Sequence, residues 1–262
     1  MIRVWTDSAE AGLLDRSGDR GSTFVYLPEI IGARAISVTM PVRLASWGMP
    51  FGLAPIFEMN LPEGVLRERL RLAFAKATGT FDDFDLLGVV GRSQVGRIRY
   101  TGQREKLEEN VPFQSVDEIL ERRRNGDLFR HLIERFASFS GISGVQPKIL
   151  VRDEKAFAAH QKDARLSQSY RGATHIVKFW EPNEYPQLAA NEYFCLKVAE
   201  KCGLEVPRFR LAEDAGALVI DRFDLRLDGT YRGFEDFCVL NARRTDQNFG
   251  ACENLPVGAF QN

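Results

Sequence analysis

Apolar positions change their period several times along the chain, and each change predicts an element. Phe24-Val25-Tyr26-Leu27-Pro28 and Ala35-Ile36-Ser37-Val38-Thr39 are β-branched or aromatic runs bounded by Gly and Pro, which predicts strands. From Asn60-Leu61-Pro62-Glu63-Gly64 the spacing turns helical. Pro suits a first turn, Leu66, Leu70 and Phe74 recur every four residues, and Gly79 ends the stretch. Asp85 to Gly91 and Val95 to Ile98 read as a short helix turning into a strand. The polar run from Gly102 to Pro112 marks a boundary. After it, Ser115-Val116-Asp117-Glu118 has the form of a capping box. The helix it opens runs through Ile119, Leu120, Leu128, Leu132 and Ile133 to Phe136, with Gly126 as a weak point. Arg122-Arg123-Arg124 on that helix reads as a solvated face within reach of Glu118 and Glu121, with a phosphate-binding patch as the alternative.

The second half differs in character. A loop, Ser140-Gly141-Ile142-Ser143-Gly144-Val145-Gln146-Pro147-Lys148, leads into the strand Ile149-Leu150-Val151. A polar insertion around Gln161 to Gly172 precedes the strand Thr174 to Phe179. A helix starting near Pro186 sets Cys195, Val198, Ala199 and Cys202 on one face and stops at Gly203. Phe209-Arg210-Leu211 and Ala217 to Ile220 read as two further strands. The order predicts an α+β fold in four parts. A small β-rich N-terminal subdomain spans 1–105, and a connecting helix spans 106–136. A five-stranded antiparallel sheet with one helix, laid out like the N-lobe of a protein kinase, spans 137–240, and an irregular tail spans 241–262.

Composition narrows the function classes. Among 262 residues, 35 Lys and Arg face 36 Asp and Glu, so no global field draws the chain to nucleic acid or a membrane surface. No direct nucleic-acid contact and no membrane partner are expected. No apolar run reaches the length of a bilayer span, and Met1-Ile2-Arg3-Val4-Trp5-Thr6-Asp7 lacks the features of a signal peptide. Cys195, Cys202, Cys238 and Cys252 form no CxxC pair, which reads as buried free thiols in a reducing cytoplasm. With His131, His160 and His175 scattered, a histidine metal site is not expected.

Three features carry candidate chemistry. Gly141 and Gly144 let backbone amides turn toward an anion, although the loop is neither a Walker A sequence nor GxGxxG, and an ordinary hairpin loop satisfies the same residues. Lys178 ends an apolar strand, where its ammonium needs a partner, and Glu192 on the next helix is the candidate. A snorkelling lysine beside an exposed glutamate is the plainer alternative. Ile220-Asp221-Arg222-Phe223-Asp224 is a strand ending in charged and aromatic residues, as at the adenine side of a nucleotide cleft or in a simple polar turn.

In their order and spacing these segments resemble the HipA family, the serine/threonine kinase toxins of bacterial type II toxin–antitoxin systems. The resemblance lies in Ser143-Gly144-Val145-Gln146-Pro147-Lys148, His175-Ile176-Val177-Lys178, Asn191-Glu192-Tyr193, Gly203 to Pro207, Asp221-Arg222-Phe223-Asp224 and Glu235-Asp236-Phe237-Cys238. Asn60 to Gly64 and Asp85 to Gly96 resemble the family's N-terminal subdomain, and the likeness extends to about Gly250. It implies ATP and magnesium as ligands. Ser143, Gly144, Val145 and Lys178 would lie at the phosphates, Asp221 and Phe223 would offer backbone groups to adenine, and Glu192 would support Lys178. It also implies a helix-turn-helix antitoxin as partner and an aminoacyl-tRNA synthetase as protein substrate. Family members autophosphorylate a loop serine. Here that position is Gly141, which leaves Ser143 as the candidate and Ser140 as a poorer one.

No catalytic residue and no metal ligand is identified. The family's catalytic aspartate, asparagine and second metal-binding aspartate follow the hinge, whereas about two dozen residues follow Phe237, with Asp246 the sole aspartate among Asn241 to Asn262. Asp224, Asp228 and Asp236 lie on the hinge side and are not expected to substitute. The expectation is an ATP-binding portion, truncated before the catalytic lobe and inactive alone. The alternative is a non-catalytic interaction module that binds an antitoxin or a separately encoded kinase half.

Overall fold

The computed structural model describes residues 1–78, 81–121, 126–153, 155, 170–180 and 187–243. Two antiparallel sheets organise them. The first contains β1 (Ile2–Thr6), β2 (Ala9–Ser17), β3 (Gly21–Tyr26), β4 (Trp47–Met49) and β5 (Ile98–Gly102), in the order β4-β3-β2-β1-β5. In β1, Ile2, Val4 and Thr6 are buried while Arg3 and Trp5 are half-buried, the alternation of a strand with one face on the core. Helices α1 (Pro55–Glu58), α2 (Gly64–Thr78) and α3 (Asp83–Val90) belong to the same part of the chain. Phe57 of α1 bridges Phe24 of β3 and Tyr100 of β5, at ring-centre distances of 5.6 and 5.8 Å.

α3 opens on a reciprocal cap. The Asp82 carboxylate accepts the Asp85 amide at 3.0 Å, and the Asp85 carboxylate accepts the Asp82 amide at 3.2 Å. Arg16 of β2 donates to both carboxylates. The hydrogen bond from Arg16 is the main reason the Asp82 carboxyl titrates as low as about 2. Asp82→Ala removes the cap and lowers stability by about 1 kcal/mol, measurable by thermal unfolding. Because the folded pKa is depressed, this contribution is present above the ordinary aspartate value of about 4 and is lost as pH falls through about 2. The difference between mutant and wild type shrinks accordingly in acid.

The second sheet contains β6 (Lys148–Val151), β7 (His175–Phe179), β8 (Phe209–Leu211) and β9 (Ala217–Asp221), in the order β6-β7-β9-β8. α4 (Val116–Glu121) and α5 (Gly126–Phe136) precede it, α6 (Leu188–Lys201) lies between β7 and β8, and α7 (Phe237–Leu240) follows β9. The fold is thus α+β with antiparallel sheets.

Several expected elements differ. Ala35 to Thr39 is not a strand. It follows a 3₁₀ turn at Gly32–Arg34 and makes a single bridge, Ser37 to Met40, because Tyr26 reaches in to accept the Ile36 amide at 3.0 Å. The strand expected at Val95 to Ile98 starts at Ile98 instead, since Val95 is held by Gly141. The second sheet has four strands among the described residues, not five. Ser115 Oγ accepts the Glu118 amide at 3.3 Å, but the Glu118 carboxylate turns to Gln114, so only half of that capping box forms. α5 begins at the expected weak point, Gly126, and Arg122 to Arg124 lie outside the described residues.

The cysteine expectation is also corrected. Cys195 and Cys202 are exposed and Cys238 is half-buried, none of them in a disulfide, and Cys252 lies outside the described residues. α6 meets the sheet through Tyr193, edge-on to Phe209 at 5.4 Å, and Leu196. That rotation turns Cys195, Val198 and Cys202 to the outside.

A buried ionic cluster joins the 94–109 segment to the chain after β9. Arg222 and Asp224 are paired with no exposed side-chain surface. Arg222 also donates to the Gln94 carbonyl at 2.8 Å, and Asp224 accepts the Gly96 amide at 2.7 Å. The Arg99 and Arg222 guanidinium groups lie 4.0 and 4.7 Å from the Tyr231 ring centre, and Tyr231 donates to Glu109 at 2.9 Å.

Candidate functional site

The loop from Ser140 to Pro147 is anchored at its start. Gly141 donates to the Ser93 carbonyl at 2.8 Å and accepts the Val95 amide at 3.1 Å. Ser140 is fully buried; its hydroxyl donates to the Phe136 carbonyl at 2.7 Å and accepts the Leu150 amide at 2.9 Å. Those bonds tie the loop to α5 and β6 and leave Ser140 no outward hydroxyl. Ser143 is half-buried and Val145 is exposed. Gly144 has φ of +110°, a conformation that glycine adopts without penalty, and a side chain there would strike Lys148 Nζ. Its amide donates to the Glu63 carboxylate at 3.0 Å.

Register brings two lysines together. Lys148 of β6 lies opposite Lys178 of β7, on one face of the sheet. Lys178 pairs with Glu192 of α6. Lys148 donates to the Ser143 carbonyl at 2.8 Å and closes the loop on itself. Burial, reinforced by the neighbouring Lys178 ammonium and only partly offset by Glu192 and Glu63, lowers Lys148 to about 8. An ammonium so placed gains from an added anion. Behind the lysines on the same face follow Leu150, Ile176 and Ile220, all buried.

Asp221 and Phe223 lie at the far end of this sheet. Asp221 is paired in register with His175, three residues from Lys178, so its side chain faces the opposite side. It lies 3.3 Å from His175 Nε2 and lines a cavity of 580 Å³ with Lys197, Glu200, Arg208 and Arg210. Its amide donates to the Arg208 carbonyl at 2.9 Å. Phe223 is 42% exposed and packs edge-on to Phe234 at 5.5 Å. The three aspartates that follow β9 have structural partners: Asp224 holds Arg222, Asp228 accepts from Thr230, and Asp236 accepts the Val239 amide at the start of α7.

Lys178, Glu192 and the Gly144 loop therefore converge, and Asp221 and Phe223 stand apart from them. Sequence reasoning missed Glu63 and the role of Lys148. The Lys148 signal was present, since a lysine closing a glycine loop faces Lys178 once the two strands pair. Glu63 had none, being 81 residues from Gly144.

Residues 2–101 match the HipA N-terminal domain and residues 140–257 match the HipA-like C-terminal domain, the latter running past Gly250, where the motif likeness ends. In solved structures, a chain of the HipA, HipB and operator DNA complex from the Shewanella oneidensis MR-1 toxin–antitoxin system superimposes with a TM-score of 0.59 at 19% identity. The match covers 94% of this chain, which spans 57% of the length of the other. No described helix is long and apolar enough to cross a membrane. With the two HipA models together taking in most of its length, the chain belongs to the HipA family.

Proposed function

We propose that this chain is the ATP-binding portion of a serine/threonine kinase toxin, with its second sheet and α6 acting as a kinase-like N-lobe. The carrying observation is the ion pair of Lys178 with Glu192, set beside Lys148 and the Gly144 loop. A strand lysine held by a helix glutamate is the arrangement that receives nucleotide phosphates. The Gly144 amide and the Lys148 ammonium add two donors to the same place. Leu150, Ile176 and Ile220 supply an apolar surface leading toward Phe223, whose amide has no hydrogen-bond partner among the described residues and is free for adenine.

Magnesium would travel with the nucleotide. Among the described residues no group of three or more His, Cys, Asp or Glu side chains is placed to hold a metal ion. The binding partner in this reading is a HipB-like antitoxin, and the protein substrate is an aminoacyl-tRNA synthetase.

Isothermal titration with ATP tests the assignment. Lys178→Ala weakens binding by about thirtyfold, the scale of one charge-assisted phosphate contact. Equal affinity in wild type and Lys178→Ala would sink the nucleotide reading. It would favour a non-catalytic module whose partner binding is indifferent to Lys178.

A further inference from the structure

We propose that Glu63 is a resident anion of the glycine loop: its carboxylate occupies the amide that a nucleotide phosphate takes, and phosphate binding displaces it. This inference rests on the nucleotide reading of the Lys178 site.

Three observations carry it. First, the Gly144 amide, the loop donor best placed beside Lys148, is already engaged by Glu63 Oε1 at 3.0 Å. Second, the contact depends on two glycines with positive φ. Gly144 at +110° turns its amide outward, and Gly64 at +53° lets the start of α2 come against the loop. A Cβ on Gly64 would sit 3.0 Å from the Val145 carbonyl oxygen. Third, two acids already stand beside the two lysines. Lys178 has Glu192, and Lys148, which forms no ion pair among the described residues, has Glu63 as its remaining nearby acid.

A phosphate arriving at Lys148 and Lys178 therefore meets a carboxylate of its own sign on the donor it needs. Glu63 is a single carboxylate attached to α2, whereas a polyphosphate offers several oxygens and more charge to both lysines at once. Exchange of one anion for the other releases the loop from α2. Nucleotide occupancy is thereby coupled to the docking of residues 143–145 on the part of the chain that carries the first sheet.

Titration of wild type, Glu63→Ala, Glu63→Gln and Lys178→Ala with ATP decides the matter, with far-UV circular dichroism confirming that each variant is folded. Glu63→Ala binds ATP about tenfold more tightly than wild type, because both the competing acceptor and the like charge are gone. Glu63→Gln falls between the two, since its amide oxygen still accepts from Gly144 without the charge. If wild type binds ATP and loses it in Lys178→Ala, yet Glu63→Ala binds equally or more weakly, Glu63 is not a competitor and this inference alone fails. If ATP binds neither wild type nor Glu63→Ala, the nucleotide reading fails and takes the inference with it.

Discussion

Asp224→Ala lowers the unfolding free energy by about 3–5 kcal/mol in urea titrations at neutral pH, the loss expected when one partner of a buried ion pair is removed. Arg222 has no exposed side-chain surface, so its charge cannot recover hydration once Asp224 is gone. The Gly96 amide loses its acceptor at the same time. Against a total stability of about 5–15 kcal/mol, such a loss leaves the chain near its threshold. Asp224→Asn keeps an acceptor for Gly96 and removes only the charge, so it falls between wild type and alanine. Burial pushes the Asp224 carboxyl up, but the Arg222 guanidinium, the Gly96 amide and Arg99 outweigh it, and the net direction is down. A depressed carboxyl stabilises above the ordinary aspartate value of about 4 and loses that contribution as pH falls through its folded value. The wild-type protein therefore converges on the mutant in strong acid. A neutral-pH loss below about 1 kcal/mol would mean that Arg222 finds other partners, and that the cluster does not hold the 94–109 segment to the chain after β9.

Gly141→Ser lowers stability by about 3 kcal/mol and yields no phosphoserine at that position on incubation with Mg-ATP. Family resemblance implies a serine here, so the substitution looks like a restoration. Packing says otherwise. A side chain at 141 would stand 2.9 Å from the Ser93 carbonyl oxygen and 3.1 Å from Gln94 Cα. Both are backbone atoms, fixed by the pairing of Gly141 with the 93–95 segment, and they cannot swing aside as a side-chain tip can. The serine must either strain that pairing or detach the loop from it. Urea unfolding measures the loss of stability, and intact mass with peptide mapping measures phosphorylation at residue 141. A mutant as stable as wild type, or phosphorylated at residue 141, would show that the loop adopts another path.

Much of the local structure was legible from pattern alone. Leu66 and Leu70 are buried on α2 as their spacing of four requires, although Phe74, third in that stripe, is exposed, and Gly203 ends α6 with φ of +81°. Glu192 was legible as a candidate partner for Lys178, but a snorkelling lysine beside an exposed glutamate read as plainer from the residues alone, and the folded chain forms the pair. The α+β class and the antiparallel strands after residue 147 follow from the same kind of evidence, short β-branched runs separated by turns.

What stayed hidden depends on contacts between distant segments. Which face of α6 is inward was misread, because Cys195, Val198 and Cys202 form a credible apolar stripe; Tyr193 and Leu196 won by meeting Phe209 and the sheet. Ala35 to Thr39 has strand composition, yet it lies in a turn in which the Tyr26 hydroxyl accepts the Ile36 amide. By itself, the order of residues determined the periodicities, the glycine turns and the chemistry available at Lys178. Only the tertiary structure decided that Glu63 meets Gly144, that Lys148 faces Lys178, and that Arg222 and Asp224 are sealed from water. Hydrophobic period and turn chemistry act over a few residues, whereas these three outcomes require the chain to close on itself across strand registers and long loops.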